Sequence, residues 1–151
     1  MTGPPIAESQ LRVRSMEHED IEAVLAIDRK ITGVRRAITY TDLITGDLGG
    51  VLNLSLVAEV DGHVAGFILA RRAFVGEPVA EVGLIQILGV DPDYQRQGIA
   101  TNMVNTLLDN CQTKKLSAVR IMVNERDSQL QGLFGHLGFR RGELIDYTKT
   151  L

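Results

Sequence analysis

With 151 residues, 44% hydrophobic and 23% charged, the chain has apolar material for one domain and an ordinary share of surface charge. A formal net charge of −3 argues against a broadly basic nucleic-acid binder. No apolar run approaches the roughly 18 residues of a membrane span. One cysteine, Cys111, excludes an intrachain disulfide or a thiolate cage, and His18, His63 and His136 lack ligand spacing, so no metal is expected.

The N-terminal residues carry neither a basic n-region nor an apolar h-region. Residues 1–10 therefore read as a loose tail before a single domain over 11–151, with a cytoplasmic location by default. Residues 11–14 alternate apolar and basic side chains and predict a short strand. A helix over 19–30 follows, with Glu17, Glu19 and Asp20 near its N-terminal dipole and Ile21, Val24, Leu25 and Ile27 on one face. The stretch 32–54 is expected to hold a second helix around 41–45, then a turn at Gly49-Gly50. Two β-rich runs, 54–60 and 63–71, flank Asp61-Gly62, a strong hairpin signal. A polar loop around 76–78 leads to a central strand over 82–90.

A helix over 98–114 comes next, with Ile99, Met103, Val104, Leu107, Leu108 and Cys111 on its buried stripe. A strand over 118–123, a helix over 128–137 and one or more strands within 139–147 complete the chain. The order predicts an α/β protein, a mixed sheet with helices on its faces. Cys111 falls inside the apolar stripe, where core packing is the expected role.

The most informative stretch runs from Val90 through Asp91, Pro92, Asp93, Tyr94, Gln95, Arg96, Gln97, Gly98 and Ile99 to Ala100. It joins the central strand to a helix start, where four backbone N–H groups have no intrahelical partner and the dipole favours anions. Gly98 lets a ligand oxygen approach the backbone closely. The stretch thus reads as a cradle for a phosphate or pyrophosphate. It lacks the Gly-Lys-Ser/Thr of a Walker loop and the three spaced glycines of a Rossmann fingerprint.

It resembles the pyrophosphate loop of the GNAT N-acetyltransferase superfamily, Gln/Arg-x-x-Gly-x-Gly/Ala, which Gln95, Gly98 and Ala100 fill after a typical Val90-x-Pro92. A second segment, Leu133-Phe134-Gly135-His136-Leu137-Gly138-Phe139, resembles the family's Leu-Tyr-x-x-x-Gly-Phe, with Phe134 in place of the frequent tyrosine. The resemblance extends from about Leu11 to the C-terminus.

The resemblance implies a mixed central sheet with helices on both faces and two parallel strands, 82–90 and 118–123, that splay apart around acetyl-CoA. It assigns the pyrophosphate to backbone N–H groups of Arg96, Gln97, Gly98, Ile99 and Ala100, with the Gln95 side chain nearby and Thr101 adding a hydroxyl. The pantetheine amides would pair with backbone at Leu88 and Val90. The implied activity is direct acetyl transfer from acetyl-CoA to a primary amine of a small molecule or peptide. The alternative is a CoA-binding regulatory or scaffold module without turnover.

Many members carry a carboxylate base where Gln86 stands, and a glutamine aligns a water or amine rather than taking a proton. Glu81 is a candidate base acting through water, or a solvated strand-end charge. Tyr147 is a candidate substitute acid, or a packed aromatic. Asp127, where relatives often carry asparagine, is expected to cap the last helix. Arg96, Lys114, Lys115 and Arg126 are candidate cationic surface for the phosphates, with Lys114 and Lys115 reading better as a solvated helix end. The expected partners are acetyl-CoA and an amine, with no nucleic acid, no membrane and no metal; a homodimer is left open. Arg35, Arg36, Arg71 and Arg72 favour an acidic acceptor or are simply exposed.

Overall fold

The computed structural model describes residues 10–33, 48–76 and 78–151. The expected helix at 41–45, Arg35, Arg36 and the N-terminal tail up to residue 9 lie outside these residues. Strand β1 (Leu11–Ser15) leads through a 3-10 turn (His18–Asp20) into helix α1 (Ile21–Thr32). Strands β2 (Leu56–Val60), β3 (His63–Val75) and β4 (Ala80–Val90) form an antiparallel meander with β1. A 3-10 turn (Pro92–Tyr94) and helix α2 (Ile99–Thr113) then carry the chain across to strand β5 (Val119–Ile121), which runs parallel to β4. Helix α3 (Ser128–His136) follows, and the sheet order is β1-β2-β3-β4-β5.

Alternation along β2 and β3 divides the core between two faces. Val57, Phe67 and Leu69 pack with Met16, Val24 and Ile27 under α1. Leu56, Ala58, Ile68 and Ala70 pack with Ile85, Met103, Leu107 and Phe134 under α2 and α3. Burial on both sides is why these strands read as continuous apolar runs. Asp61 and Gly62 both take positive φ, 52° and 81°, as a type I′ hairpin turn requires.

The 3-10 turn that leads into α1 opens with a capping box in which the backbone N–H of Glu17 donates to Asp20 at 2.8 Å. Arg14 grips the same carboxylate with two bonds of 2.8 Å and donates to Glu59 at 2.7 Å. These ties hold Asp20 below the usual carboxylate range, chiefly through the Arg14 hydrogen bonds. They fasten β1 and β2 to the N-cap of α1.

Three expectations are corrected. The β3–β4 hairpin is longer than predicted, because Arg72 and Glu81 bind each other across it. Strand β5 is three residues long, not the predicted 118–123. No strand forms within 139–147, or anywhere in 139–151. Arg140, Arg141, Gly142 and Glu143 offer no apolar face to draw that segment onto the core, and its polar backbone pairs with no strand among the described residues.

Candidate active site

The site begins with an irregularity in β4. Opposite β3, Ala70 pairs with Ile85 and Leu69 with Ile87, so Gln86 is an extra residue, a β-bulge. The bulge reverses which groups face which way. Before it, the N–H of Gly83 donates to the carbonyl of Ala118, the residue just before β5. After it, the N–H of Asp91 donates back to Ala65 beside β3. Counting back by twos from Asp91, Gly89 and Ile87 face β3, which turns the backbone groups of Leu88 and Val90 toward β5.

Yet β5 is not there to receive them. It pairs with β4 only at Gly83, Leu84 and Ile85 and then departs. From Gln86 to Val90 no described strand pairs with β4 on this side, so Leu88 and Val90 present an open backbone edge along a gap.

At the end of β4, Asp91 accepts from the backbone N–H of Asp93 at 3.0 Å and begins the 3-10 turn. Lys30, in the last turn of α1, reaches Asp91 at 3.1 Å and Asp93 at 3.3 Å. These bonds, first to Asp91 and then to Asp93, raise the pKa of the ammonium. Gln95 is extended, and Arg96 and Gly98 take left-handed conformations with φ of 63° and 77°. A backbone alternating in this way turns successive N–H groups to one side, the geometry of an anion nest. Gly98 is the N-cap of α2, and no side chain caps the helix or places a negative charge in its first turn. Ile99 anchors the helix start in the core, while Gln95, Arg96 and Gly98 are exposed and Gln97, Ala100 and Thr101 half-buried. The arrangement is an uncapped amide cradle opening beside the gap.

Of the three candidate catalytic residues, only Gln86 lies at the splay, exposed on the bulge rather than buried. Glu81 stands five residues earlier on β4, about 16 Å along the strand. Its carboxylate is held by Arg72 at 2.8 and 2.6 Å, an ion pair at the partly exposed start of β4 rather than a free base at the gap. Tyr147 is 88% exposed, so it is not a packed aromatic. Phe134 is only 4% exposed and meets Phe139 edge-on at 4.9 Å between ring centres. Asp127 caps α3, accepting from the Leu130 N–H at 2.9 Å. Cys111 lies buried beneath Gly83, and burial pushes its thiol pKa up, away from nucleophilic chemistry. Among the described residues no cluster of three or more acidic, histidine or cysteine side chains is placed to hold a metal, and no helix is long and apolar enough to cross a membrane.

Sequence reasoning missed two participants. The bulge left only a weak trace, apolar residues at 84, 85, 87 and 88 around a polar Gln86, which breaks the alternation of a regular strand. Lys30 is remote in sequence from Asp91, and nothing local marks the pair.

A parallel strand pair opened by a bulge, beside a glycine-led helix start with free amides, defines an acyltransferase architecture of the GNAT type. Residues 21–139 match the acetyltransferase (GNAT) family, and the chain belongs to it. Its fold is similar to that of the aminoglycoside N-acetyltransferase AAC(6')-Iy in complex with CoA, with a TM-score of 0.81 at 16% identity over 93% of this chain and 94% of that one. It is also similar to the ribosomal-protein-S18-alanine N-acetyltransferase from Escherichia coli, with a TM-score of 0.73 and 21% identity over 88% of this chain and 79% of that one. Naa50 of Arabidopsis thaliana, in complex with the bisubstrate analogue CoA-Ac-MVNAL, gives a TM-score of 0.68 and 20% identity over 89% and 85% of the two chains.

Proposed function

We propose that this N-acetyltransferase moves the acetyl group of acetyl-CoA directly onto a primary amine of a small molecule or peptide. One observation carries the reading: a path leads from the cradle at Arg96–Gly98, past the 3-10 turn, to the open edge of β4 at Val90 and Leu88 and on to the bulge at Gln86. That path matches the order of groups in acetyl-CoA, from pyrophosphate through pantetheine amides to thioester. The backbone N–H groups of residues 96–100 hold the pyrophosphate, with the Gln95 side chain and the Thr101 hydroxyl beside it. Leu88 and Val90 pair with the pantetheine arm as a neighbouring strand would.

The thioester carbonyl then lies near the bulge, where a backbone N–H of the splayed strand meets the developing oxyanion. Gln86 aligns the neutral amine or a water by hydrogen bonding. An ammonium with a pKa near 10.4 is mostly protonated at neutral pH, so the small neutral fraction is the attacking species. The nitrogen forms the new C–N bond as the C–S bond breaks, CoA departs as a thiolate, and the proton that the nitrogen sheds passes to that thiolate or to water. Positioning and oxyanion stabilisation therefore supply most of the rate.

The test is an acetyl-CoA thiol-release screen over aminoglycosides, polyamines, amino acids and peptide N-termini. An accepted amine should give free CoA and its acetylated product in equal amounts. With that amine, Gln86→Leu should keep CoA affinity and lose about tenfold or more in turnover, the loss of one positioned hydrogen-bonding group. Gln86→Glu should give the rate a new acidic limb. Full turnover in Gln86→Leu would refute the role of Gln86. CoA binding with no release from any amine would favour the module without turnover.

A further inference from the structure

Residues paired across a sheet project to one face, and one such row crosses β4 two residues before Gln86. Arg71 of β3 pairs with Leu84, and Leu84 pairs on its other side with Arg120 of β5. Their neighbours fix the face. Ala70, Ile85, Val119 and Ile121 pack into the core under α2 and α3, so the row that alternates with them looks out on the α1 side. Two arginines therefore flank a half-buried leucine, with backbones about 10 Å apart across three strands, so that one ligand between them is within reach of both. Neither is spent inside the fold. Among the described residues no ion pair or side-chain hydrogen bond involves Arg71 or Arg120, whereas Arg72, on the opposite face, is committed to Glu81. Nε of Arg120 is enclosed without a hydrogen-bond partner, an arrangement that folded chains rarely keep without a use for it. Its guanidinium leans toward the β3–β4 turn, where a Cβ on Gly76 would stand 3.3 Å from Nη2, and a Cβ on Gly142 would stand 3.7 Å from Nη1. With no side chain at either position, the fork of Arg120 is left room on both sides.

We propose that the acceptor carries, besides its amine, an anionic group, a carboxylate or a phosphate, which Arg120 and Arg71 hold. This rests on the acetyl-transfer reading above and names the class of amine that the site takes. CoA comes to the gap from the cradle at the start of α2, which packs on the other face of the sheet, so the α1 side is left to the acceptor. A guanidinium presents paired N–H donors that match the oxygens of a carboxylate or phosphate, and an anion between the two side chains supplies the partners that Arg120 lacks. Spacing narrows the class further. From Gln86 back to Leu84 is about 7 Å of strand, and the fork leans further toward Gly76, which sets anion and amine roughly 10 Å apart. An extended peptide covers that distance in about three residues. A peptide with an acidic or phosphorylated side chain two places after its N-terminus therefore meets both ends of the site. A polycation does not, because two unpaired guanidiniums repel it.

The experiment uses amidated peptides that differ only in their third residue, glutamate, phosphoserine or glutamine. Thiol release by the full chain gives kcat/KM for each, and calorimetry with CoA present measures binding of their N-acetylated forms without turnover. Expected is a kcat/KM about tenfold or more higher for the glutamate or phosphoserine peptide than for the glutamine peptide, the worth of one charge-assisted pair. Whichever of the two is preferred identifies the anion. Arg120→Gln should bring the ratio close to one, mainly through KM for the acidic peptide, and Arg120→Lys should keep part of it. Arg71→Gln, at an exposed position, should lower the ratio in the same sense and serves if Arg120→Gln does not fold. A ratio of one in the parent, or a preference for the glutamine peptide or for spermidine, would overturn the proposal and leave acetyl transfer standing. No release from any peptide, with acetylated acidic peptides bound by the parent and lost in Arg120→Gln, would remove acetyl transfer and leave the anion site. Neither release nor binding would overturn both.

Discussion

Gly98→Val separates the cradle from the helix that it starts. At φ 77° a Cβ would meet only Nδ2 of Asn102, at 3.7 Å, so the substitution creates no clash. The penalty is conformational, because a β-branched residue is a marked outlier in the left-handed region. Holding it there costs about 1–2 kcal/mol. If the loop instead relaxes to negative φ, stability is largely kept and the amides at 98–100 turn away from the cradle. Losing two charge-assisted N–H···O bonds at about 1.5–3 kcal/mol each weakens CoA binding by roughly 100-fold or more. Calorimetric titration with CoA measures the affinity, and urea unfolding measures the stability beside it. Gly98→Asn, which tolerates this conformation, should lose less stability than the valine variant. A folded Gly98→Val that binds CoA within a few-fold of the parent would refute the cradle and leave Gly98 as a helix cap.

Asp20→Asn should cost about 1.5–3 kcal/mol near neutral pH, because it breaks a charge-assisted pair with Arg14. The Asp20 carboxyl has a lowered folded pKa, so its contribution is complete above the unfolded value of about 3.9 and fades as pH falls through the folded value. Urea midpoints of parent and variant should therefore converge in acid; a gap that persists there would contradict the account. Gly83→Ala puts a Cβ 2.8 Å from Sγ of Cys111 and should lower the melting temperature, at a cost of about 1–3 kcal/mol. Cys111→Ala in the same chain should restore much of that loss, and strict additivity of the two changes would rule the contact out. With Phe134 buried and Tyr147 in solvent, the transfer rate should show no basic limb near the tyrosine value of about 10. A limb that disappears in Tyr147→Phe would identify that residue as the acid.

Local chemistry was legible in the sequence, and long-range placement was not. Asp61-Gly62 determines its turn through backbone preference alone, and Asp127 caps α3 through a bond to a residue three positions away. The loop from Gln95 to Ala100 was readable for the same reason, since its glycine and helix start lie side by side. Gln86 was placed on the right strand, but the bulge that carries it was not legible, because a bulge is a property of two paired strands and not of one strand's own residues. Glu81 looked like a strand-end charge until the longer hairpin brought Arg72 onto it. The missing strand after Phe139 marks the same limit: strand propensity in 144–150 describes what the segment favours, not which edge it meets.

The bond network of Lys30 has a consequence for ionic strength. Asp91 and Asp93 set two carboxylates at the entrance to the loop proposed to hold the pyrophosphate, a multiply charged anion. Lys30 sits on both, and its raised pKa keeps it cationic through neutral pH. With Arg96 added, the two acids and two bases cancel, so the loop presents little net side-chain charge. Attraction for the pyrophosphate then comes mainly from fixed backbone dipoles acting at contact distance, which dissolved ions screen poorly. A protein that held the same ligand with a lysine and arginine cluster would lose affinity steeply as salt is added. Here the affinity should change little between dilute buffer and physiological salt, so the concentration of CoA, rather than the ionic medium, sets how full the site is.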